Sequence, residues 1–90
     1  MIALNLSPMT HEVLYESVDV DVRFENHRPK PVTIKWNRQN FRITQVNMVH
    51  AVKEGDKRVY YFSVSDRTHF FKLRFDTELL NWNLVEFYTE

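Results

Sequence analysis

Apolar and polar residues alternate one by one over most of this chain. The alternation is cleanest in Val18 to Glu25, VDVDVRFE. Val18, Val20, Val22 and Phe24 point one way and Asp19, Asp21, Arg23 and Glu25 the other, the period-two mark of a strand with one wet face. Asn26 to Pro31, NHRPKP, breaks the pattern, since two prolines remove backbone donors and fix φ. Val32 to Trp36 and Phe41 to Thr44 then read as a hairpin around Asn37-Arg38-Gln39-Asn40. With Arg38-Gln39 central, Trp36 faces Phe41 and Ile34 faces Ile43. Lys35 then faces Arg42 on the outside, a like-charge pair that costs stability unless an anion sits there.

Gly55, the one glycine, stands in Glu54-Gly55-Asp56-Lys57. Gly-Asp between extended runs is a two-residue hairpin signal, and it pairs Val52 with Val59, Ala51 with Tyr60, His50 with Tyr61 and Val49 with Phe62. Ile43 and Val49 both belong inside, yet Gln45 and Asn47 between them are polar, so a bulge near residues 45–47 is expected. The stretch Val59 to Phe75, VYYFSVSDRTHFFKLRF, holds six of the thirteen aromatic residues. A turn centred on Asp66-Arg67 sets Val64 against His69, Phe62 against Phe71 and Tyr60 against Leu73. It gathers Tyr60, Phe62, Val64, Phe71, Leu73 and Phe75 on one core face. Asp76 to Asn81 reads as a loop and Trp82 to Tyr88 as the last strand.

The amino-terminal residues follow another rule. Ser7-Pro8 is a helix start, with Met9, Val13 and Leu14 near one face, so a short helix or arm over residues 1–16 is expected, ahead of one all-β domain over 17–90. Met1 to Leu6 reads as an edge strand or a tail. Five or six strands at hairpin spacing predict an antiparallel meander, a partly closed small barrel or a bent sheet.

Composition narrows the chemistry. Cysteine is absent, which excludes disulfides and thiolate chemistry. No apolar run reaches the roughly 18 residues of a membrane helix. The first residues lack the features of a signal peptide, so a cytoplasmic protein with no membrane association is expected. The formal net charge of zero hides a segregation. Residues 1–26 set five acids against Arg23, residues 27–75 set eleven cations against Glu54, Asp56 and Asp66, and residues 76–90 carry four acids and no base. The plain reading is that opposite charges meet across neighbouring strands.

His11, His27, His50 and His69 have no metal-ligand spacing, and no metal or cofactor is implied. Asp19 and Asp21 share a strand face, where charge discourages edge-to-edge pairing. No nucleophile elbow, phosphate loop or triad is present, so a non-enzyme is expected. The face opposite the core on the aromatic hairpin carries Tyr61, Phe70, Lys72 and Arg74, with Lys35 and Arg42 on the neighbouring hairpin. Rings among cations suit single-stranded nucleic acid, because bases stack on rings and cations track phosphates. The competing reading lays Met9, Val13 and Leu14 over Tyr61 and Phe70 as a second core layer. The first functional expectation is thus a non-catalytic binding module for nucleic acid. The alternative is a protein-interaction or homodimer module using an exposed strand edge, that of Val18–Glu25 or of the last strand.

Trp36 followed by Phe41, then Tyr61-Phe62-Ser63-Val64, Phe71-Lys72-Leu73, Asp76 and Trp82-Asn83-Leu84 form an aromatic spacing with a known likeness. Over residues 17–88 it resembles a family of small uncharacterised all-β domains, found alone and appended to translesion (Y-family) polymerase-like proteins. The departure is at the first hairpin turn, where a Gly-Arg pair is replaced by Arg38-Gln39. The resemblance implies the all-β fold and a neighbourhood of DNA repair, and it assigns no site residues.

Overall fold

The computed structural model describes residues 10–89, which form seven antiparallel strands and no helix. They are β1 (Thr10–Glu25), β2 (Arg28–Trp36), β3 (Gln39–Arg42), β4 (Gln45–Glu54), β5 (Lys57–Ser65), β6 (His69–Asp76) and β7 (Asn81–Thr89). They lie in one open sheet in the order β3-β2-β1-β7-β6-β5-β4. The meander is as expected, with one or two more strands, and the sheet is bent rather than closed. Residues from Thr10 onward are strand where a short helix or arm was expected. The alternation His11, Val13, Tyr15 outward and Leu14, Glu16 inward finds a partner in β7, and a ladder satisfies backbone groups that a lone short helix leaves open. The helix start at Ser7-Pro8 and the segment Met1 to Leu6 lie outside the described residues.

β1 organises the fold. Its first half pairs with β7 from Thr10 to Val18, and its second half with β2 from Asp19 to Glu25. It thereby carries the chain from a layer of β4–β7 into a smaller layer of β1–β3 that folds across it. Sixteen residues of strand reach about 50 Å. Accordingly the molecule measures 52 × 27 × 25 Å. The core between the layers contains Val18, Ile34 and Phe41 from one side and Phe62, Val64, Phe71, Leu73, Trp82, Leu84 and Phe87 from the other. Phe41 packs its ring edge-on to Phe71 at 5.1 Å, and Trp36 does the same to Phe87 at 4.9 Å.

The turns set the registers. Asn26-His27 and Asn37-Arg38 both have positive φ at each residue, the type I′ geometry whose twist matches a hairpin. The break after Glu25 is therefore two residues long, and Pro29 and Pro31 belong to β2. β2 tolerates them because its ladder to β1 shifts between Asp21 and Val22, skipping Val32 next to the buried Pro31. Placing the second turn at Asn37-Arg38 slides the predicted pairing by two residues, so Ile34 faces Phe41, Lys35 faces Asn40 and Trp36 faces Gln39. The expected Lys35–Arg42 clash does not occur; Arg42 lies opposite Thr33.

The β5–β6 turn slips likewise. Val64 pairs with Phe71, Phe62 with Leu73 and Tyr60 with Phe75. Asp66 causes the slip by accepting the backbone N–H groups of Thr68 and His69 at 2.9 and 2.8 Å, which closes a longer loop. A slip of two preserves the faces, so the predicted core face holds. The Gly55-Asp56 hairpin has the predicted register throughout, with Gly55 at φ +63°. The ladder shift between Val46 and Met48 leaves Asn47 unpaired, the expected bulge. A further bulge at Val85 lets both Leu84 and Phe87 face inward and turns Glu86 outward.

Candidate functional site

The outer face of β4–β7 is a polar sheet surface tied together in rows. His50, Tyr61, Arg74, Asn83 and Ser17 follow one another across five strands, and Met48, Ser63, Lys72, Glu86 and Val13 form the next row. Glu54 is the hub of the first group. It accepts the Tyr61 hydroxyl at 2.8 Å on Oε2 and the Arg74 guanidinium at 2.6 Å on Oε1. The Arg74 hydrogen bond, then that of Tyr61, holds the Glu54 carboxyl below its usual range. Burial, then the bond to Glu54, pushes the Tyr61 phenol up. Arg74 also stands 3.9 Å from Asp76, over the Tyr15 ring, and is only 8% exposed.

Asp76 ends β6 and serves two masters. Its Oδ2 accepts Lys57 Nζ at 2.6 Å, and its Oδ1 accepts the N–H groups of Glu78 and Leu79, which fixes the turn into β7. Lys57 first, then the Leu79 N–H, lowers the carboxyl to about 2. In the second group Glu86 accepts the Tyr88 hydroxyl at 3.0 Å, meets His11 Nε2 at 3.1 Å and pairs with Lys72 at 3.6 Å. Tyr88, the largest cause, keeps the Glu86 carboxyl low. Lys72 also hovers over the Tyr61 ring, 5.5 Å from its centre.

The six residues singled out from the sequence do not form one surface. Tyr61, Phe70, Lys72 and Arg74 share the outer face of β5 and β6. Lys35 and Arg42 project from the outer face of the β1–β3 layer, which points away on the other side of the core. Lys35 there pairs with Asp21 at 3.7 Å. Phe70 is 39% exposed and borders a shallow depression of about 560 Å³ with Tyr88, Lys72, Glu86, Ser63 and Asn47. Val13 is exposed rather than lying over Tyr61 and Phe70, while Leu14 packs on the core. Met9 lies outside the described residues.

Sequence reasoning missed Glu54, Asp76, Glu86 and Tyr88 as partners of these cations. The signal was present in the acids at hairpin ends beside basic strands, but it needed the register of β6 against β7. Among the described residues no three His, Asp or Glu side chains gather to hold a metal ion, and no helix is long and apolar enough to cross a membrane.

The edges also differ from expectation. β7 lies between β6 and the first half of β1 and offers no free edge, whereas β1 pairs only with β7 along Thr10–Val18 and only with β2 along Asp19–Glu25, so the Val18–Glu25 stretch keeps one side without a strand partner among the described residues. β7 became interior because β1 is long enough to reach it after pairing with β2. Among the described residues the outermost strands of the sheet are β3, of four residues, and β4, of ten. Comparison with family models, curated proteins and solved structures finds no match to this chain. The likeness to the polymerase-appended domains therefore rests on aromatic spacing alone.

Proposed function

We propose that this domain is a non-catalytic binding module that takes up an extended protein segment along the free edge of β4. The observation that carries this reading is the edge itself. β4 is ten residues long, and its window Val46 to Val52, VNMVHAV, has no lysine, arginine, carboxylate, proline or glycine. Met48 is 59% and Val49 47% exposed. Long, apolar, uncharged edges template strand addition, and natural sheets normally blunt them with charge or proline. The non-catalytic part is supported by the carboxylates of the outer face. Glu54, Asp76 and Glu86 are held ionised by bonded partners, whereas a general acid or base works best with a pKa near the working pH.

A strand of stated sequence, titrated while amide shifts are followed, tests the reading: shifts must run along β4. A second copy offering its own β4 is the homodimer form of the same event. Light scattering at about 20 μM and about 1 mM distinguishes it, since only self-pairing raises the mass with concentration.

A second reading is favoured by one observation, the depression between Phe70 and Tyr88 beside Lys72. Two partly exposed rings and a cation can stack and hold a single strand of nucleic acid. Against it stands the pairing of Lys72 and Arg74 with carboxylates, which leaves less charge for phosphates. Titration with a short single-stranded DNA at about 50 and 200 mM salt decides: this reading requires shifts on β6 and β7 that fade with salt.

A further inference from the structure

The two layers pack closely around Phe41, Phe71 and Phe87 and part toward the Asn26-His27 turn. There they leave a groove of about 580 Å³ on the inner side of β4. Val46, Val49, Tyr60 and Phe62 form its apolar side, and Arg28 and Lys30 of β2 stand across from them. The size falls within the roughly 300–1,000 Å³ of ligand sites. Further along the same face, Lys53 lies directly opposite Arg58, two pairs beyond Ala51 and Tyr60. Side chains alternate along strands, so this pair projects on the groove side. Like charges directly opposite destabilise a ladder. Lys30 shares Glu25 at 3.6 Å, but among the described residues Arg28, Lys53 and Arg58 have no carboxylate within ion-pair distance. An apolar trough with Arg28 across it, and the unanswered Lys53–Arg58 pair further along the same face, lies beside the free edge of β4.

We infer that the groove receives the inward side chains of an acidic extended segment paired to β4. This rests on the strand-addition reading above and names the chemistry of the partner. A residue of the added strand opposite Val49 is apolar and fills the trough. The residue opposite Lys53, four positions along, carries a carboxylate that answers Lys53 and Arg58. Every second side chain of a strand faces the same way, so the motif is apolar, any, apolar, any, acidic, read in either direction. The chain's own β4 has no acid at that spacing from its apolar inward residues, so a second copy answers these cations poorly.

Two acetylated and amidated peptides, TETLTLT and TKTLTLT, probe the inference on the full chain by amide shift titration. At low salt the acidic peptide is expected to bind about tenfold tighter, with shifts along β4 and at Tyr60, and the preference shrinks as salt screens it. The exposed double variant K53E/R58E is expected to reverse the preference. Equal binding of both peptides on β4 overturns the groove inference and leaves strand addition standing. So does a preference that survives in K53E/R58E. Shifts that avoid β4, or none up to about 1 mM peptide, overturn strand addition and the inference with it.

Discussion

If the layers are packed at one end and parted at the other, two substitutions on the same inner surface must differ greatly in cost. Leu73 is fully buried at the centre of β6, opposite Phe62 on one side and Leu84 on the other. Leu73→Ala removes three carbons, about 2.4 kcal/mol of transfer at roughly 0.8 per carbon. The backbone ladders on both sides keep the site from collapsing, so a cavity term adds to this, and about 3–4 kcal/mol is expected. Val49 faces the same interior from β4 but is 47% exposed in the groove. Val49→Ala removes two carbons already half in water, so under about 1 kcal/mol is expected. Urea unfolding followed by near-UV aromatic signals measures both, provided m is unchanged. A domain of this size has roughly 5–13 kcal/mol in all, so Leu73→Ala should also lower the melting temperature by tens of degrees. Similar losses for the two variants would refute the parted layers. A loss below about 1 kcal/mol at Leu73 would refute the two-layer core itself.

Acid should weaken the fold through Asp76: its folded pKa of about 2 lies below the ordinary value of 3.8. The stabilisation is complete above that ordinary value and is lost as pH falls toward 2, so Asp76→Asn should be less stable at neutral pH and flatten the stability profile across this window. Gly55→Ala should cost about 1–2 kcal/mol by thermal melting, because φ is +63° and strain acts alone, with nothing within 4 Å of an added Cβ. Arg38→Gly should stabilise by several tenths of a kcal/mol or more, since Arg38 holds φ 62° in a type I′ turn and is exposed; an unchanged or lower melting temperature would contradict that turn geometry. Tyr61→Phe should remove the phenol titrating above the usual tyrosine range, seen by ultraviolet difference spectra, while Glu54 keeps its bond to Arg74.

Alternation alone made the strands and the inner face legible. Val18, Phe62, Val64, Phe71 and Leu73 are buried as their parity requires, and Gly55 fixed one register because only glycine marks that turn plainly. The other two hairpins slipped by two because their turns use residues with no unique signature. Asn37-Arg38 adopts positive φ without glycine, and Asp66 closes its loop with side-chain bonds. Parity survives a slip of two, which is why the core was right while the pairs were wrong. The edges were legible only in part: Val18–Glu25 has one strand partner, but the last strand has two. Whether a strand is interior depends on what pairs with its far side, and β7 is interior only through the continuation of β1 from Thr10 to Val18, where a proline-led helix start masked the pattern.

The charge segregation of the chain acquires a physical account from the strand order. The acidic first strand lies beside basic β2 and acidic β7 beside basic β6, so Lys35 meets Asp21, Lys30 meets Glu25 and Lys72 meets Glu86. Lys57 meets Asp76 at the end of the next ladder. The face that promised phosphate contacts is therefore largely neutralised within the sheet, and its cations hold strands in register. What remains unanswered among the described residues is found at the margins. Arg38 and Arg67 sit in turns at one end, Arg42 stands outside β3, and Arg28, Lys53 and Arg58 collect around the parted layers. Charges in the first group are exposed and dispersed, and isolated surface charges of this kind gain little from a partner. In the second, Arg28 borders an apolar trough, and Lys53 and Arg58 lie further along the same face of the β4–β5 hairpin, beside an unpaired backbone edge. Three unmet needs, for backbone partners, apolar cover and negative charge, come together there. An acidic extended segment is the simplest single object that meets all of them.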